Sequence, residues 1–437
     1  MLSPALLDKV SYLGVLLKSF PVCEVAIHKL LDISLGRKRI ERLTERIGGE
    51  RVAQRSGAIE EFANSTLMTR VDGPAEVTAP KVCTVMVDGG RFQTNTKRPQ
   101  ATSHWCEFKA GILLEMDIEK DFQLGVDPNP IVPEFLLDCA RIETLTREIS
   151  HLAKQDEKNA TERRERSRPK EQEDADEPTN TGFKELLELA NSPSQLAAND
   201  GCDQLRLSPK YLSREVVGTF QKSSAFGMQV AQRAWSLGFF QSSRKAFVGD
   251  GQNWIWTLFE QQFKPFEFVP ILDIIHAVTY VYSAALAGRE TTAGQETKTG
   301  GLIYQQWVSW LWQGETDKII AALKARQTTL GEPTEEDTAT SPRRIVADAL
   351  SYLTNQQSKM NYPLYRSQGL PITSSHMEST IKELNQRIKG SEKFWSDSGG
   401  ESVLQLKSDT LSTTNPLEEF WQNRRKTRTG YHASVRT

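Results

Sequence analysis

The sequence predicts a mixed α/β (α+β) fold, and three runs of residues carry that expectation. Lys81-Val82-Cys83-Thr84-Val85-Met86-Val87 is apolar, rich in β-branched residues and free of proline, and it runs into Asp88-Gly89-Gly90. Ala246-Phe247-Val248 repeats the design, passing through Gly249 into Asp250-Gly251. Pro265 to Leu272 is a third such run and ends at Asp273. Helical periodicity fills most of the chain between and beyond them. Strands that end in Asp-Gly within one α/β segment bring two carboxylates to the carboxyl edge of one sheet, where open sheets place their sites. Carboxylates held close resist ionising together, so such a pair shares a proton or holds a metal.

The chain has 437 residues, 38% of them hydrophobic and 25% charged, which is an ordinary globular composition with enough length for several domains. A formal net charge of −2 decides nothing about nucleic acid, because local clustering governs that contact. Cys23, Cys83, Cys106, Cys139 and Cys202 are scattered and form no C-x-x-C pair. That argues against a zinc knuckle or a disulfide framework and points to a reducing, cytoplasmic compartment. Asp8 and Lys9 interrupt the amino terminus, where a secretory signal would be apolar. The most apolar stretch, Phe266 to Leu286, contains Glu267, Pro270, Asp273 and His276, so it reads as a buried strand and helix rather than a membrane span.

Taken in order, residues 4–17 place apolar side chains at helical spacing. Pro21 opens a second helix, Val22 to Leu31, since proline is tolerated in a first turn. Asp32 to Gly36 reads as a turn, and Ser34 or Gly36 starts a third helix running to Ile47. Helix, short turn and basic helix is the helix-turn-helix order. Between Arg37 and Arg55 stand Arg37, Lys38, Arg39, Arg42, Arg46, Arg51 and Arg55 against Glu41, Glu45 and Glu50. That excess suits a DNA-binding face led by Arg37, Lys38, Arg39 and Arg42, and a solvated helix with Arg–Glu pairs accounts for the same residues.

After Asp88, Ser103 to Lys109 reads as a second strand and Gly111 to Glu115 as a third, an antiparallel meander beside the acid-bearing strand. Residues 132–153 look helical. Lys154 to Glu177 then holds seven basic and nine acidic side chains and no aromatic, so it has nothing to bury against the entropy of ordering. It reads as a charged, disordered linker or a solvated helix extension. Residues 208–237 show one long helical pattern through Tyr211, Val216, Val217, Phe220, Met228, Ala231 and Trp235. Beyond Asp250-Gly251 a helix starts with Asn253 as its cap, and Trp254 and Leu258 pin it to the sheet. The helix after Asp273 carries Asp273-x-x-His276 in its first turn, then Tyr280 and Tyr282.

Residues 287–360 show no strand. Leu302 to Arg326 is one long helical pattern whose Trp307, Trp310 and Trp312 read as core; Thr328 to Pro342 is a linker, and Ile345 to Leu353 is helical again. A further helix runs from about Ser375 to Lys389. Ser375-x-x-Glu378 fits a capping box, in which Glu378 only ties back to a backbone N–H. Lys382, Arg387, Lys389 and Lys393 follow it closely, and a carboxylate among cations suits a site handling metal and phosphate. Residues 394–412 give another helix, and the tail from Arg424 is basic and frayed.

In this order the motifs resemble the DDE transposases of bacterial insertion sequences, ISKra type. The resemblance rests on the strand into Asp88-Gly89-Gly90, on Trp105-Cys106-Glu107-Phe108-Lys109-Ala110-Gly111, and on Val248-Gly249-Asp250-Gly251 followed by Trp254-Ile255-Trp256. It continues through Ile271-Leu272-Asp273-x-x-His276 to Tyr362-Pro363-x-Tyr365-Arg366-x-x-Gly369-Leu370-Pro371-Ile372 and Glu378-Ser379. It covers roughly residues 80–420, and each piece is weak alone. Thr373 and Ser375 stand where members tend to have glycines. Relatives often carry more sequence ahead of the first helix, so the resemblance reads the chain as a shortened reading frame.

The resemblance implies an RNase H-like mixed sheet flanked by helices, with Asp88, Asp250 and Glu378 as catalytic and metal-binding triad and Asp273 and His276 in support. It divides the chain into a helix-turn-helix-like region (1–60), core segments (80–150 and 205–286) separated by the charged linker (154–180), a helical insertion (287–360), core helices bearing the third acid (361–412) and a basic tail (413–437). Three carboxylates can hold two Mg²⁺ ions, or Mn²⁺, about 3.5–4 Å apart for in-line displacement at phosphorus. Asp88 would bridge both ions, Asp250 would hold one and Glu378 the other. Lys382, Arg387, Lys389 and Lys393 join the amino-terminal cations as DNA contacts. The implied partners are DNA, as element ends and target, and a second copy of the chain, since joining two ends needs at least a dimer; no membrane is involved. The rival readings are a non-catalytic DNA-binding remnant and another RNase H-like nuclease such as a junction resolvase. A dehydrogenase or kinase is disfavoured, because no G-x-G-x-x-G or G-x-x-x-x-G-K-[ST] follows a strand.

Overall fold

Three helices open the chain: α1 (Pro4–Leu16), α2 (Phe20–Leu31) and α3 (Arg37–Asn64). The computed structural model describes residues 2–95, 104–117, 122–149, 209–289, 296–390 and 393–429; the expected charged linker at 154–180 lies outside them. Ser3 caps α1 by accepting from the Leu6 N–H, and α2 ends at Asp32 in the left-handed conformation (φ 53°). Val10, Leu13, Leu17, Cys23, Ala26, Ile27, Leu35 and Ile40 form a small core of their own among these helices. The third helix does not stop at Ile47; it continues to Asn64. Its second half lies on a later helix, and those distant contacts outweigh the Gly48-Gly49 pair that weakens it locally.

The sheet-bearing part follows α4 (Leu67–Asp72) with β1 (Val82–Thr94), β2 (Trp105–Met116), α5 (Glu134–Leu137), α6 (residues 139–149) and β3 (Tyr211–Thr219). Then come α7 (Ser223–Ser236), β4 (Arg244–Gly249), α8 (Asn253–Gln262), β5 (Val269–Leu272) and α9 (Ile274–Leu286). Helices α10 (Glu296–Trp312), α11 (Thr316–Leu330) and α12 (Pro342–Gln356) fall in the stretch 287–360, where a helical insertion is expected. The chain ends with α13 (Tyr362–Ser367), α14 (Ser375–Ile388), β6 (Phe394–Trp395), α15 (Asp397–Leu411) and α16 (Pro416–Thr429).

The fold is mixed α/β: a six-stranded sheet of order β3-β2-β1-β4-β5, with β6 pairing β1, flanked by helices. β1, β2 and β3 are antiparallel to one another, whereas β4 runs parallel to β1 and β5 parallel to β4. The sheet packs into one large core that includes Trp307 and Trp312 of the insertion. Among the described residues, no helix is long and apolar enough to cross a membrane.

Several elements differ from the expected ones, each for a physical reason. The single helix expected over 208–237 is β3 followed by α7. Glu215 to Thr219 are buried without a break, and a run buried on both faces shows no period by which to tell strand from helix. The two strands expected at 103–109 and 111–115 are one, because Gly111 pairs with Val87 and leaves the ladder intact. The helix at 132–153 breaks at Asp138, whose Oδ1 accepts from the Ala140 N–H (3.0 Å). Leu302 to Arg326 is two helices that turn at Gly314 (φ 73°). Gln252, not Asn253, occupies the cap position of α8. The tail is not frayed at Arg424: within α16, this side chain is buried and its Nε donates to Glu50 Oε2 at 2.5 Å.

Candidate functional site

Strand register assembles the site. β1 and β4 run in parallel with Met86 beside Val248, and two residues further the same offset brings Asp88 alongside Asp250. β4 and β5 place Gly249 beside Leu272, so the next step brings Asp250 alongside Asp273. Three aspartates on three adjacent parallel strands thus stand in one row where β4 and β5 end. β4 and β5 end there because their next residues turn away, Asp250 into Gly251 (φ 100°) and Asp273 into the first turn of α9, whereas β1 does not end at Asp88-Gly89 as expected but runs on to Thr94, its glycines paired with Lys109 and Phe108 of β2.

Asp273 is fully buried, and its bonds tie the start of α9 to two other parts of the chain. Its backbone N–H donates to the Gly249 carbonyl (2.9 Å), tying it to the strand that carries Asp250. Its Oδ1 accepts from the Ile275 N–H (2.7 Å) and caps α9. Its Oδ2 accepts from the Ser374 N–H (3.0 Å) and from Ser374 Oγ, which fixes the start of the Glu378 helix. The Ile274 N–H adds a bond to the Ile372 carbonyl (3.0 Å).

That joint brings Glu378 of α14 to His276 of α9. Ligand atoms of Asp273, His276 and Glu378 all lie within 4.8 Å of one another, a spacing at which one cation could be held. Asp88 and Asp250 face this group electrostatically. Burial first, and then the charge of Asp250, push the Asp88 carboxyl up to about 7; Glu378 adds to the rise, while the Gly89 N–H and His276 oppose it. Burial works against the His276 imidazolium, yet Asp273, Asp250, Glu378 and Asp88 together hold its pKa above the ordinary value. Four carboxylates and one imidazole therefore share one field. The capping box expected at Ser375-x-x-Glu378 is one residue out of register: Ser374 is the cap residue, which leaves Glu378 in the fourth helical position.

Asp250 is braced from both sides. Its Oδ1 accepts from the Gln252 N–H (3.0 Å) and its Oδ2 from Gln252 Nε2 (2.8 Å). Gln252 Oε1 in turn accepts from Trp254 Nε1 (2.7 Å), and the Lys109 ammonium lies 4.1 Å from the centre of the Trp254 ring. From the insertion, Tyr352 Oη donates to the Asp250 carbonyl (2.7 Å).

The expected DNA-contacting cations divide. Arg37, Lys38, Arg39 and Arg42 are exposed on the first turns of α3, with Lys38 beside Glu41 (3.1 Å). Further along, Arg51 and Arg55 are spent on Asp409 and Glu401 of α15 (2.8 and 2.7 Å). On α14, Lys382 is exposed. Lys389 sits 5.9 Å from the Trp105 ring centre, and Lys393 Nζ donates to the Gln386 carbonyl (3.0 Å). Arg387 is a correction: it is 2% exposed, donates to the Gly14 carbonyl (2.8 Å) and lies over the Phe20 and Trp395 rings. Burial lowers its pKa to about 10, and a side chain so enclosed meets no phosphate. Its long apolar stem at helical spacing looks the same in sequence whether it faces solvent or core.

Ser374, Gln252 and Tyr352 were not legible as site residues. Ser374 stands in a Ser/Thr-rich run, and only its contact with Asp273 distinguishes it. Neither a scan of protein-family models nor a search of curated proteins finds a match to this chain.

Proposed function

We propose that the chain is a DNA transposase of a bacterial insertion sequence that cleaves and joins strands by metal-dependent phosphoryl transfer. The observation that carries this reading is the row of Asp88, Asp250 and Asp273 on adjacent parallel strands, where β4 and β5 end, facing Glu378 and His276. The sheet order fits the RNase H-like core that the sequence resemblance implies. The donor set fits hard divalent cations, since oxygen ligands dominate it, and the imidazole accommodates Mn²⁺ beside Mg²⁺. Asp88, Asp250 and Glu378 would hold them, with His276 in reach, while Asp273 is already engaged as the joint. Bound there, paired cations supply the Lewis acidity for in-line displacement at phosphorus. The protein's own part is to keep these carboxylates packed together beside His276, whose imidazolium form their charges favour.

Exposed Arg37, Lys38, Arg39 and Arg42 suit the phosphate backbone of element ends. Joining two ends calls for at least a dimer in the active complex, working in the cytoplasm. The test is nicking, in Mg²⁺, of a duplex carrying the ends that bracket the reading frame. Wild-type protein nicks it; Asp88→Asn binds it and does not. An Asp88→Asn protein that still nicks in Mg²⁺ overturns the reading. A non-catalytic DNA binder would use the same exposed cations, and would show no divalent-ion affinity that depends on Asp88 and Asp250.

A further inference from the structure

Helix α9 carries two tyrosine pairs of opposite kind. Tyr282 meets Tyr304 edge-on (82°) and both are buried, as core aromatics are. Tyr280, two residues earlier, lies flat on Tyr352 with ring centroids 3.9 Å apart and planes within 9°, yet it is 36% exposed. Tyr280 follows His276 by four residues, so the two share a face of α9 one turn apart. Its partner ring is fixed: Tyr352 Oη donates to the Asp250 carbonyl, and a side chain added at Gly251 would stand 2.7 Å from the Tyr352 ring.

We propose that Tyr280, backed by Tyr352, is a stacking platform for one nucleobase of the DNA strand entering the acid cluster. The proposal rests on the DNA-directed reading above and adds to it a contact with the base rather than with phosphate. Every base has a π-face, so such a platform binds without regard to sequence, and a rigid aromatic pair ordered beforehand loses little entropy when a base settles on it. The Tyr280 phenol stays neutral, because burial, then Asp348 and Asp250, raise its pKa. The insertion thereby contributes to the site through α12, both as the brace on Asp250 and as the back of the platform.

The experiment measures binding of full-length protein to fluorescent single-stranded oligothymidylate of about 20 residues and to an abasic strand of equal length, in Ca²⁺. Tyr280→Ala should weaken oligothymidylate binding by about 10- to 100-fold, and Tyr280→Phe by less than about threefold. All three proteins should bind the abasic strand alike. Circular dichroism confirms that each variant is folded. The platform is overturned if Tyr280→Ala binds oligothymidylate like wild type, or loses both strands equally. If wild type binds neither strand and nicks no duplex, the transposase reading falls and takes the platform with it. If wild type binds and nicks but Tyr280→Ala changes nothing, only the platform falls.

Discussion

Asp273 and Ser374, 101 residues apart in sequence, share two hydrogen bonds in the buried heart of the molecule. Through them the helix that presents His276 and the helix that presents Glu378 start from one fixed point. The carboxylate at that point also caps α9, and its backbone holds the end of β4. Asp273 is thus a positioning residue for its three neighbours.

Removing that joint should cost stability first. Asp273→Ala leaves the Ser374 N–H and hydroxyl without their acceptor and uncaps α9, a loss of about 2–4 kcal/mol. Ser374→Ala removes one bond and should cost about 1 kcal/mol. Urea unfolding curves report both, and an Asp273→Ala protein as stable as wild type would contradict the assignment. At temperatures where the variant remains folded, it should also bind Mn²⁺ more weakly, because Glu378 is no longer held beside His276.

Asp88 makes stability depend on pH in the metal-free protein. Its pKa in the folded chain, about 7, lies above the ordinary 3.8, so the folded state holds the proton more tightly than the unfolded one. That contribution is complete below about pH 4 and is lost as pH rises through about 7. Asp88→Asn should flatten the decline between those limits in melting curves taken without metal. Saturating Mg²⁺ should flatten it in wild type too, since a bound cation favours the ionised carboxylate. A wild-type profile that rises over this interval would refute the sign.

Gly251 sits at φ 100° against the Tyr352 ring. Gly251→Ala meets both backbone strain and a contact at 2.7 Å, and should destabilise the fold by about 1–3 kcal/mol. The Asp250 turn would shift, so Mg²⁺ affinity should fall by more than in Tyr352→Phe, which loses only the bond to the Asp250 carbonyl. Isothermal titration distinguishes the two, and equal affinities would sink the claim.

Exposed and enclosed arginines should behave differently toward DNA. Arg37→Ala with Arg39→Ala should weaken duplex binding and reduce the slope of log K against log salt by about two. Arg387→Met should leave that slope unchanged, because the residue lies between Phe20 and Trp395. Its effect belongs in the unfolding curve instead. A changed slope for Arg387→Met would return it to the DNA face.

Much of the site was legible because local chemistry marks it. Asp88 and Asp250 each end an apolar run at a glycine, and Asp273-x-x-His276 opens an apolar helix. Of the four cations read as DNA contacts, Lys382, Arg387, Lys389 and Lys393, the structure rules out Arg387, since helical spacing does not tell which side is covered until a partner arrives. β3 was misread for a related reason: burial on both faces erases the alternation that marks a strand.

By itself the sequence determined the mixed α/β class and the strands that carry Asp88, Asp250 and Asp273, since these depend on residue type and on neighbours within a few positions. Only the tertiary structure decided that α3 runs on along α15, that Arg387 is enclosed, and that Ser374 and Tyr352 serve the site. Those outcomes depend on contacts between residues as many as 373 positions apart, as between Gly14 and Arg387, and no local pattern encodes which surfaces will meet.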